Sequence, residues 1–366
     1  MNRRSHLPAS LAAVAAATLA LPTLVQAQAQ AQGQGQNNQG NQNTPTSPVG
    51  EAPPQQSAPP QPAQVFDEPT ALTPRGHWVF EPAAQYVHST NNQVALVGYT
   101  ILPAITIGLI NIERVESNLD NFSLTGRYGI TSRLELEVRV PYVVANTTTE
   151  TRPLAQSSTT NDFFNASGSD IGDVDVALRA QLNHFRGDNA VYLASLRFKT
   201  HTGTNIFEEP VDPTTGLQTK IPTGSGFNAV QGGLTFLKPS DPAVFFGGVA
   251  YTKSFSRFVN VNYGDIYPGS ILDLNVGMGM AINDKASLSI GYQHSVVDQT
   301  DQRFGVITVN EAQYAITRIG TIQLGTLRFG ISYQLSKDTY LNTTIGIGVT
   351  RDSPDLEATV RLPIRF

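Results

Sequence analysis

The stretch Leu356–Phe366, LEATVRLPIRF, decides how the whole chain is interpreted. Its even-numbered residues, from Leu356 to Phe366, are all apolar. The residues between them are Glu357, Thr359, Arg361, Pro363 and Arg365. Side chains of a strand alternate between two faces, so one face here is apolar and the other is charged. This pattern predicts a transmembrane barrel strand, apolar toward lipid and polar toward a lumen. The alternative is the last strand of a secreted β-sandwich, with the apolar face turned inward.

The N-terminus has the layout of a secretory signal. Arg3 and Arg4 precede an apolar run over 11–25, and Ala27 completes a small-residue cleavage site, which predicts a signal peptide over 1–27. Residues 28–66 are rich in Gln, Asn and Pro, so this segment is predicted to be disordered.

The composition fits a barrel better than a helical membrane protein. After the signal no apolar run reaches the length of about 20 residues that a membrane helix needs, and the longest candidate, 94–112, is interrupted by Pro103. A membrane protein without such helices must form a closed barrel, because lipid offers no partner to unpaired backbone groups. The absence of cysteine excludes disulfides and thiolate metal sites. A net charge of −5 without a basic cluster gives no reason to expect a nucleic-acid partner.

Strand patterns and turn residues alternate from residue 77 onward. They predict an all-β, antiparallel, up-and-down transmembrane barrel (77–366) of about 12 strands. The predicted strands are 77–88, 119–129, 133–144, 172–184, 189–201, 225–237, 243–256, 270–282, 285–297, 322–335, 339–350 and 355–366. Short turns alternate with long links, as in outer-membrane barrels with short periplasmic turns. An extra hairpin within 94–118 would raise the number to 14.

The charged residues of these strands share one face, which is predicted to face the lumen. A charge on the lipid face would cost about 2–4 kcal/mol near the membrane centre for Arg or Lys. Two interpretations stay open: ion pairs that stiffen a narrow barrel, or a lining that selects solutes. The predicted pore-lining residues are Arg127, Arg133, Glu135, Glu137, Arg139, Asp173, Asp175, Arg179, Arg197, Lys199, Arg328, Glu357 and Arg361.

The sequence offers no catalytic constellation. His88-Ser89 and His294-Ser295 are neighbours in sequence, so their side chains point to opposite faces of a strand and cannot act together. Three aspartates near residue 173 lack the glycine and the spaced glutamate of a calcium loop. We therefore predict no enzyme, no catalytic residue, no cofactor and no metal.

Four runs resemble a known family. They are Asp67–Tyr86 (DEPTALTPRGHWVFEPAAQY), Gly98–Val115 (GYTILPAITIGLINIERV), Arg127–Val143 (RYGITSRLELEVRVPYV) and Ser169–Leu182 (SDIGDVDVALRAQL). They resemble the MetA-pathway phenol-degradation-like outer-membrane channels, including the functional-amyloid secretion channel. The resemblance implies a barrel of twelve strands, possible homotrimers, and a plug or junction over 67–76. The amyloid channel has a coiled coil before its plug, where this chain has the Gln- and Pro-rich segment.

Together these features predict a channel of the bacterial outer membrane. It would pass small, hydrophobic or aromatic solutes through a charged lumen, and its partners would be lipid and the solute. The alternative partner is an exported polypeptide, if the chain secretes functional-amyloid subunits. Phe366 at the end of the last strand resembles the signal that the barrel assembly machinery reads.

Overall fold

The computed structural model describes most of the chain after residue 71. The described residues are 72–90, 95–96, 99–100, 110–153, 162–183, 190–210, 219–260, 264–308 and 311–366. The predicted signal peptide, the segment 28–66 and the first half of the predicted plug lie outside them. In the described part no helix is long and apolar enough to cross a membrane.

Twenty strands are present in the described part. They are β1 (Trp78–Ser89), β2 (Ala95–Leu96), β3 (Tyr99–Thr100), β4 (Ile110–Thr131), β5 (Leu134–Pro153), β6 (Asp162–Ile171), β7 (Asp175–Gln181), β8 (Val191–Lys199), β9 (Ala229–Ser240), β10 (Ala243–Ser254), β11 (Arg257–Asn260), β12 (Gly264–Tyr267), β13 (Ile271–Ala281), β14 (Ala286–Val297), β15 (Thr300–Thr308), β16 (Glu311–Ile319), β17 (Ile322–Gln334), β18 (Tyr340–Gly348), β19 (Leu356–Arg361) and β20 (Ile364–Arg365).

Fourteen of these strands form one closed antiparallel sheet. The order around the barrel is β1, β4, β5, β7, β8, β9, β10, β13, β14, β17, β18 and β19, which returns to β1. The strand β6 continues β7 along β5, and β20 continues β19 along β1, so the barrel has twelve positions. All twelve predicted strands are confirmed. The sandwich alternative is wrong, because the first and last strands pair and leave no sheet edge.

Two long links contain structure that the sequence analysis treated as loop. The strands β11, β12, β15 and β16 form a separate sheet of four strands over 257–319. The predicted ends of two barrel strands were also wrong. The strands β4 and β5 run for 22 and 20 residues, because their antiparallel pairing continues from Asn118 and Asn146 out to Ile110 and Pro153. This extension accounts for 110–118, so the extra barrel hairpin of the 14-strand alternative does not form. The short strands β2 and β3 form a separate sheet of two strands.

The two faces of the barrel wall carry the predicted residues, apolar ones outside and charged ones inside. On β13 the side chains of Leu274 and Val276 are 45% and 57% exposed, toward the outside of the barrel. On β5 the alternate residues Glu135 and Glu137 are 0% and 3% exposed, toward the inside. An apolar exterior and a polar interior reverse the arrangement of a soluble barrel, and they fit a barrel that lipid surrounds.

The seam between the first and last strands closes the barrel. The pair Phe366 N and Trp78 O are 2.9 Å apart, and the ring of Phe366 meets that of Phe80 edge-on at 5.8 Å. The ring of Trp78 also contacts that of Tyr128 of β4, with centroids 4.5 Å apart and planes tilted by 35°. These rings lie at the end of the barrel with the short turns, which is the periplasmic end by the outer-membrane rule. The predicted strand Leu356–Phe366 therefore closes the barrel by pairing with β1.

Candidate pore lumen

Buried ion pairs join the inner faces of neighbouring strands. Arg127 of β4 lies 2.9 Å from Glu81 of β1 and 2.8 Å from Glu137 of β5. Glu137 also meets Arg179 of β7 at 2.5 Å and Arg197 of β8 at 3.2 Å. One carboxylate thus holds three guanidinium groups that come from three different strands. The strands bring these residues together because their inward positions stand in register across β1, β4, β5, β7 and β8.

The network extends to two further carboxylates. Arg179 contacts Glu135 at 2.5 Å, and Asp175 contacts Arg139 at 2.9 Å and Arg197 at 3.0 Å. We call these eight residues the ion network: Glu81, Glu135, Glu137, Asp175, Arg127, Arg139, Arg179 and Arg197. Its four acidic and four basic groups balance. Because unpaired charges are costly away from water, this balance allows most of these charges to be buried inside the barrel.

A small polar cavity lies beside the ion network. Its volume is about 40 Å³, which is enough for a few water molecules. Its wall consists of Glu81, Ala83, Gln85, Asn121, Ser123, Thr125, Arg127, Glu137, Arg139, Arg197, Thr359 and Arg361. Arg139 is the most open of the paired arginines, with 34% of its side chain exposed, whereas Arg127 has 6%. The cavity beside the ion network is therefore small, and it is lined by polar groups.

A long loop folds back onto the inner wall. We call residues 200–210 and 219–228 the inner loop. Asp173, in the break between β6 and β7, accepts hydrogen bonds from the backbone N–H of Gly203 (3.1 Å) and of Ser225 (2.9 Å). It also accepts one from the hydroxyl of Ser225 (2.7 Å) and pairs with Lys199 at 3.1 Å. Asp173 and Lys199 thus fasten the inner loop to the wall.

The inner loop adds an apolar contact above the ion network. Ile221 packs with Val87, Leu119, Val143 and other inward residues of β1, β4 and β5. A Cβ atom on Gly168 would overlap the carbonyl oxygen of Ile221, so this approach needs a glycine. The outer side of the lumen is consequently narrowed by apolar side chains of the loop and wall.

The segment before β1 reaches into the other end of the lumen. We call Leu72–Gly76 the entry segment. The backbone N–H of Thr73 donates to Glu135 Oε2 at 2.5 Å, and Leu72 packs on inward residues of β8, β9 and β10, including Leu193 and Phe246. The entry segment therefore extends inside the periplasmic mouth, from β1 toward the opposite wall. The assignment of the whole of 67–76 as a plug stays a prediction.

The remaining predicted lining residues have varied places. Arg133 lies in the turn between β4 and β5 rather than in a strand, so its predicted strand position is wrong. Arg328 of β17 pairs with Glu357 of β19 at 2.7 Å. Arg328 and Glu357 stand in register with Gly346 of β18 between them, so the long guanidinium reaches across β18. Arg361 faces the polar cavity.

Sequence reasoning left two important contributors out of the lining set. Glu81 has the same parity as the other inward charges, so period-2 alternation on β1 could have identified it. Ile221 could not have been identified in this way, because it lies in a loop whose sequence has no period-2 alternation. Among the described residues no group of three or more His, Asp or Glu is placed to hold a metal ion.

Comparison with known proteins identifies the fold. No family model matches the chain. The COG4313 outer membrane channel from Pseudomonas putida F1 is similar to it with a TM-score of 0.53 at 14% identity, over 83% of this chain and 100% of that one. This agrees, at the level of fold, with the family resemblance found in the sequence. The amyloid branch of that resemblance stays a prediction. The fold and the apolar exterior are those of a bacterial outer-membrane barrel.

Two further structures are similar at lower scores. The translocator domain of the autotransporter NalP from Neisseria meningitidis has a TM-score of 0.40 at 9% identity, over 80% of this chain and 90% of that one. A mutant of the TodX monoaromatic hydrocarbon channel has a TM-score of 0.35 at 10% identity, with the same shares of the two chains covered.

Proposed function

We propose that this chain is a passive outer-membrane channel for small organic solutes of hydrophobic or aromatic character, and that it carries out no catalysis. The observation that carries the proposal is a closed barrel with a polar inner wall that is narrowed from both ends. The inner loop narrows it from one side and the entry segment from the other. Such a lumen suits small molecules that diffuse singly. The hydrophobic or aromatic character of these solutes is inferred from the resemblance of the sequence to the phenol-degradation-like channels.

The uneven lumen wall suggests where such a solute would pass. The charges of the ion network lie on β1, β4, β5, β7 and β8, and they are paired and closely packed. The inward residues of β9, β10, β13 and β14 are mostly small and uncharged, for example Gly233, Gly277 and Ser289. An apolar solute would pass along this second wall, because displacing buried ion pairs costs several kcal/mol, about 3–5 for one broken pair.

Liposome swelling tests this proposal. Vesicles containing the mature chain, and others containing a variant without residues 28–76, are exposed to uncharged solutes of graded size. These should include a sugar and an aromatic alcohol. We expect the shortened variant to admit solutes faster, because the entry segment no longer occupies the mouth. Heat-modifiable gel mobility verifies that both proteins are folded. If folded protein gives no swelling with either chain, the proposal is wrong.

The predicted alternative is secretion of functional-amyloid subunits. An extended polypeptide would have to pass both the inner loop and the entry segment, which are hydrogen-bonded to the inner wall. We therefore favour the small-solute channel. Loss of surface fibres in a strain without this gene would reverse that preference.

A further inference from the structure

We propose that a cluster of apolar side chains inside the barrel binds the hydrophobic ring of a small solute, and that Leu72 occupies this place when no solute is present. The cluster consists of Leu193 on β8, Leu237 on β9 and Phe246 on β10, and we call these three residues the apolar pocket. This inference rests on the proposed channel function. It names a binding site for the solute and a contact of the chain itself that competes with the solute.

The three side chains of the apolar pocket point into the lumen. Leu193 has the inward parity of Arg197 on the same strand, and Arg197 belongs to the ion network. Leu237 is paired with Val191 of β8 and with Phe246 of β10, so all of these side chains lie on the inner face. The three pocket residues are nevertheless only 5–6% exposed. Burial of this degree indicates that a further group lies over them from the lumen.

Leu72 of the entry segment supplies part of this cover. Its side chain packs on the apolar pocket, although it lies before β1 in the chain and the pocket lies on β8, β9 and β10. The contact between them is hydrophobic, and such contacts have no directional requirement. An apolar group of similar size that enters the lumen can therefore take the place of Leu72. The side chain of Leu72 thus marks where the hydrophobic part of a solute would bind.

A tight turn before β1 directs Leu72 into the barrel. The backbone N–H of His77 donates to the carbonyl of Pro74 at 3.1 Å, and Gly76 has a φ of +78°, which favours glycine in a turn. The N–H of Gly76 also donates to the carbonyl of Gly129 on β4 at 2.8 Å. A Cβ atom on Gly129 would overlap the carbonyl oxygen of Pro74, so the entry segment runs directly against β4. These contacts fix the end of the segment next to β1, while Leu72 at its other end packs on β8, β9 and β10.

The surroundings of the apolar pocket suit an aromatic ring. Gly277 of β13 is paired with Phe246, and the ring of Phe246 lies over it, so that a Cβ atom on Gly277 would overlap this ring. The pocket therefore continues onto the uncharged wall of β9, β10, β13 and β14, along which we propose that an apolar solute passes. An aromatic solute gains ring contacts with Phe246 in addition to the burial of its apolar surface. Uncharged aromatic molecules are therefore the class that we assign to this site.

A thiol in place of the Leu72 side chain reports whether a solute displaces it. The chain contains no cysteine, so Leu72→Cys gives a single reactive group, and cysteine behaves as a small hydrophobic residue that fits the pocket. The reaction of this thiol with a small methanethiosulfonate reagent is measured on the mature chain in detergent, at increasing concentrations of benzyl alcohol. If the side chain occupies the pocket for roughly nine-tenths of the time, its displacement raises the labelling rate by about tenfold. We expect a rise of this size that saturates with the solute.

Two controls separate displacement from a general effect of the solute. Lys337→Cys places the thiol in the exposed turn between β17 and β18, where labelling should not respond to benzyl alcohol. Xylitol, a polar solute of similar size, should leave the labelling of Leu72→Cys unchanged. Heat-modifiable gel mobility verifies that both variants are folded. The inference would be overturned by equal acceleration at the two thiols, by equal effects of the two solutes, or by no acceleration in folded Leu72→Cys.

A second measurement needs no thiol. Fluorine NMR follows the binding of 4-fluorobenzyl alcohol to the mature chain, and excess benzyl alcohol separates saturable binding from uptake into detergent. Leu72→Ala removes the competing side chain and should tighten this binding by up to about tenfold. Phe246→Leu keeps the pocket apolar but removes the ring, and it should weaken binding by about two- to tenfold, as for the loss of one aromatic pair. Equal affinities in all three proteins would contradict the site.

The failure of the site can be told apart from the failure of the channel. If vesicles admit aromatic alcohols but benzyl alcohol does not change the labelling of Leu72→Cys, the channel stands and the site is wrong. If the solute displaces the introduced thiol and the folded protein never conducts, the site stands and the proposed function is wrong.

Discussion

Glu137 is the residue on which the ion network depends most, and Glu137→Gln tests its contribution. The carboxylate accepts from Arg127 at 2.8 Å, from Arg179 at 2.5 Å and from Arg197 at 3.2 Å. A hydrogen bond to a charged group contributes about 1.5–3 kcal/mol and a neutral one about 0.5–1.5 kcal/mol. Three bonds weakened by about 1 kcal/mol each give a loss of about 3 kcal/mol. This agrees with the cost of about 3–5 kcal/mol for breaking a buried pair.

The measurement is the free energy of unfolding in guanidinium chloride, with the folded fraction in lipid vesicles followed by heat-modifiable gel mobility. The matched control is Glu208→Gln, because Glu208 is 68% exposed and stands 3.8 Å from Arg257. An exposed pair of this kind contributes about 0–1 kcal/mol, so the control should unfold nearly as the parent does. If Glu137→Gln changes the free energy no more than the control does, the ion network does not stabilise the barrel.

Three further changes test other parts of the structure. Asp173→Asn removes the charge that holds the inner loop against the barrel wall. Trypsin should then cut at the exposed Lys220 at least about tenfold faster, as expected from the loss of one charged hydrogen bond. Unchanged cleavage would show that other contacts hold the loop. Leu274→Arg puts a charge on the lipid face of β13 and should lower the free energy of unfolding by about 2–4 kcal/mol in bilayers; an unaffected protein would mean that this face does not meet lipid. Phe366→Ala removes the edge-on contact with Phe80 and should destabilise the closing seam by about 0.5–1.5 kcal/mol, seen as a lower temperature of heat modification; an unchanged temperature would exclude a role of the rings in closure.

The fold of the barrel could be predicted from the sequence. Period-2 alternation assigns each strand two faces, and the lipid outside allows no charge, so the parity of residues such as Glu135 and Arg179 follows directly. An even number of strands places both ends of an up-and-down barrel at the same side, which agrees with the pairing of the last strand with the first. These features depend on neighbouring residues along one strand, which a sequence displays.

The narrowing of the lumen by the inner loop and the entry segment could not be predicted from the sequence. The inner loop and the entry segment have no periodicity, and their contacts join residues far apart in the chain. Thr73 and Glu135 are 62 residues apart, and Ser225 and Asp173 are 52 apart. The pairing of Arg328 with Glu357 depends on the reach of a long side chain across β18. Such contacts depend on the three-dimensional placement of loops and rotamers, which alternation does not determine.

Single-channel recording in planar bilayers tests the central claim. This claim is that the barrel is a channel whose lumen is narrowed by the inner loop and the entry segment. The mature chain and the variant without residues 28–76 are each inserted at a low protein concentration. We predict discrete current steps for both proteins, with larger unitary conductance for the shortened one because its periplasmic mouth is open. Folded, inserted protein that gives no current steps in either form would contradict the account.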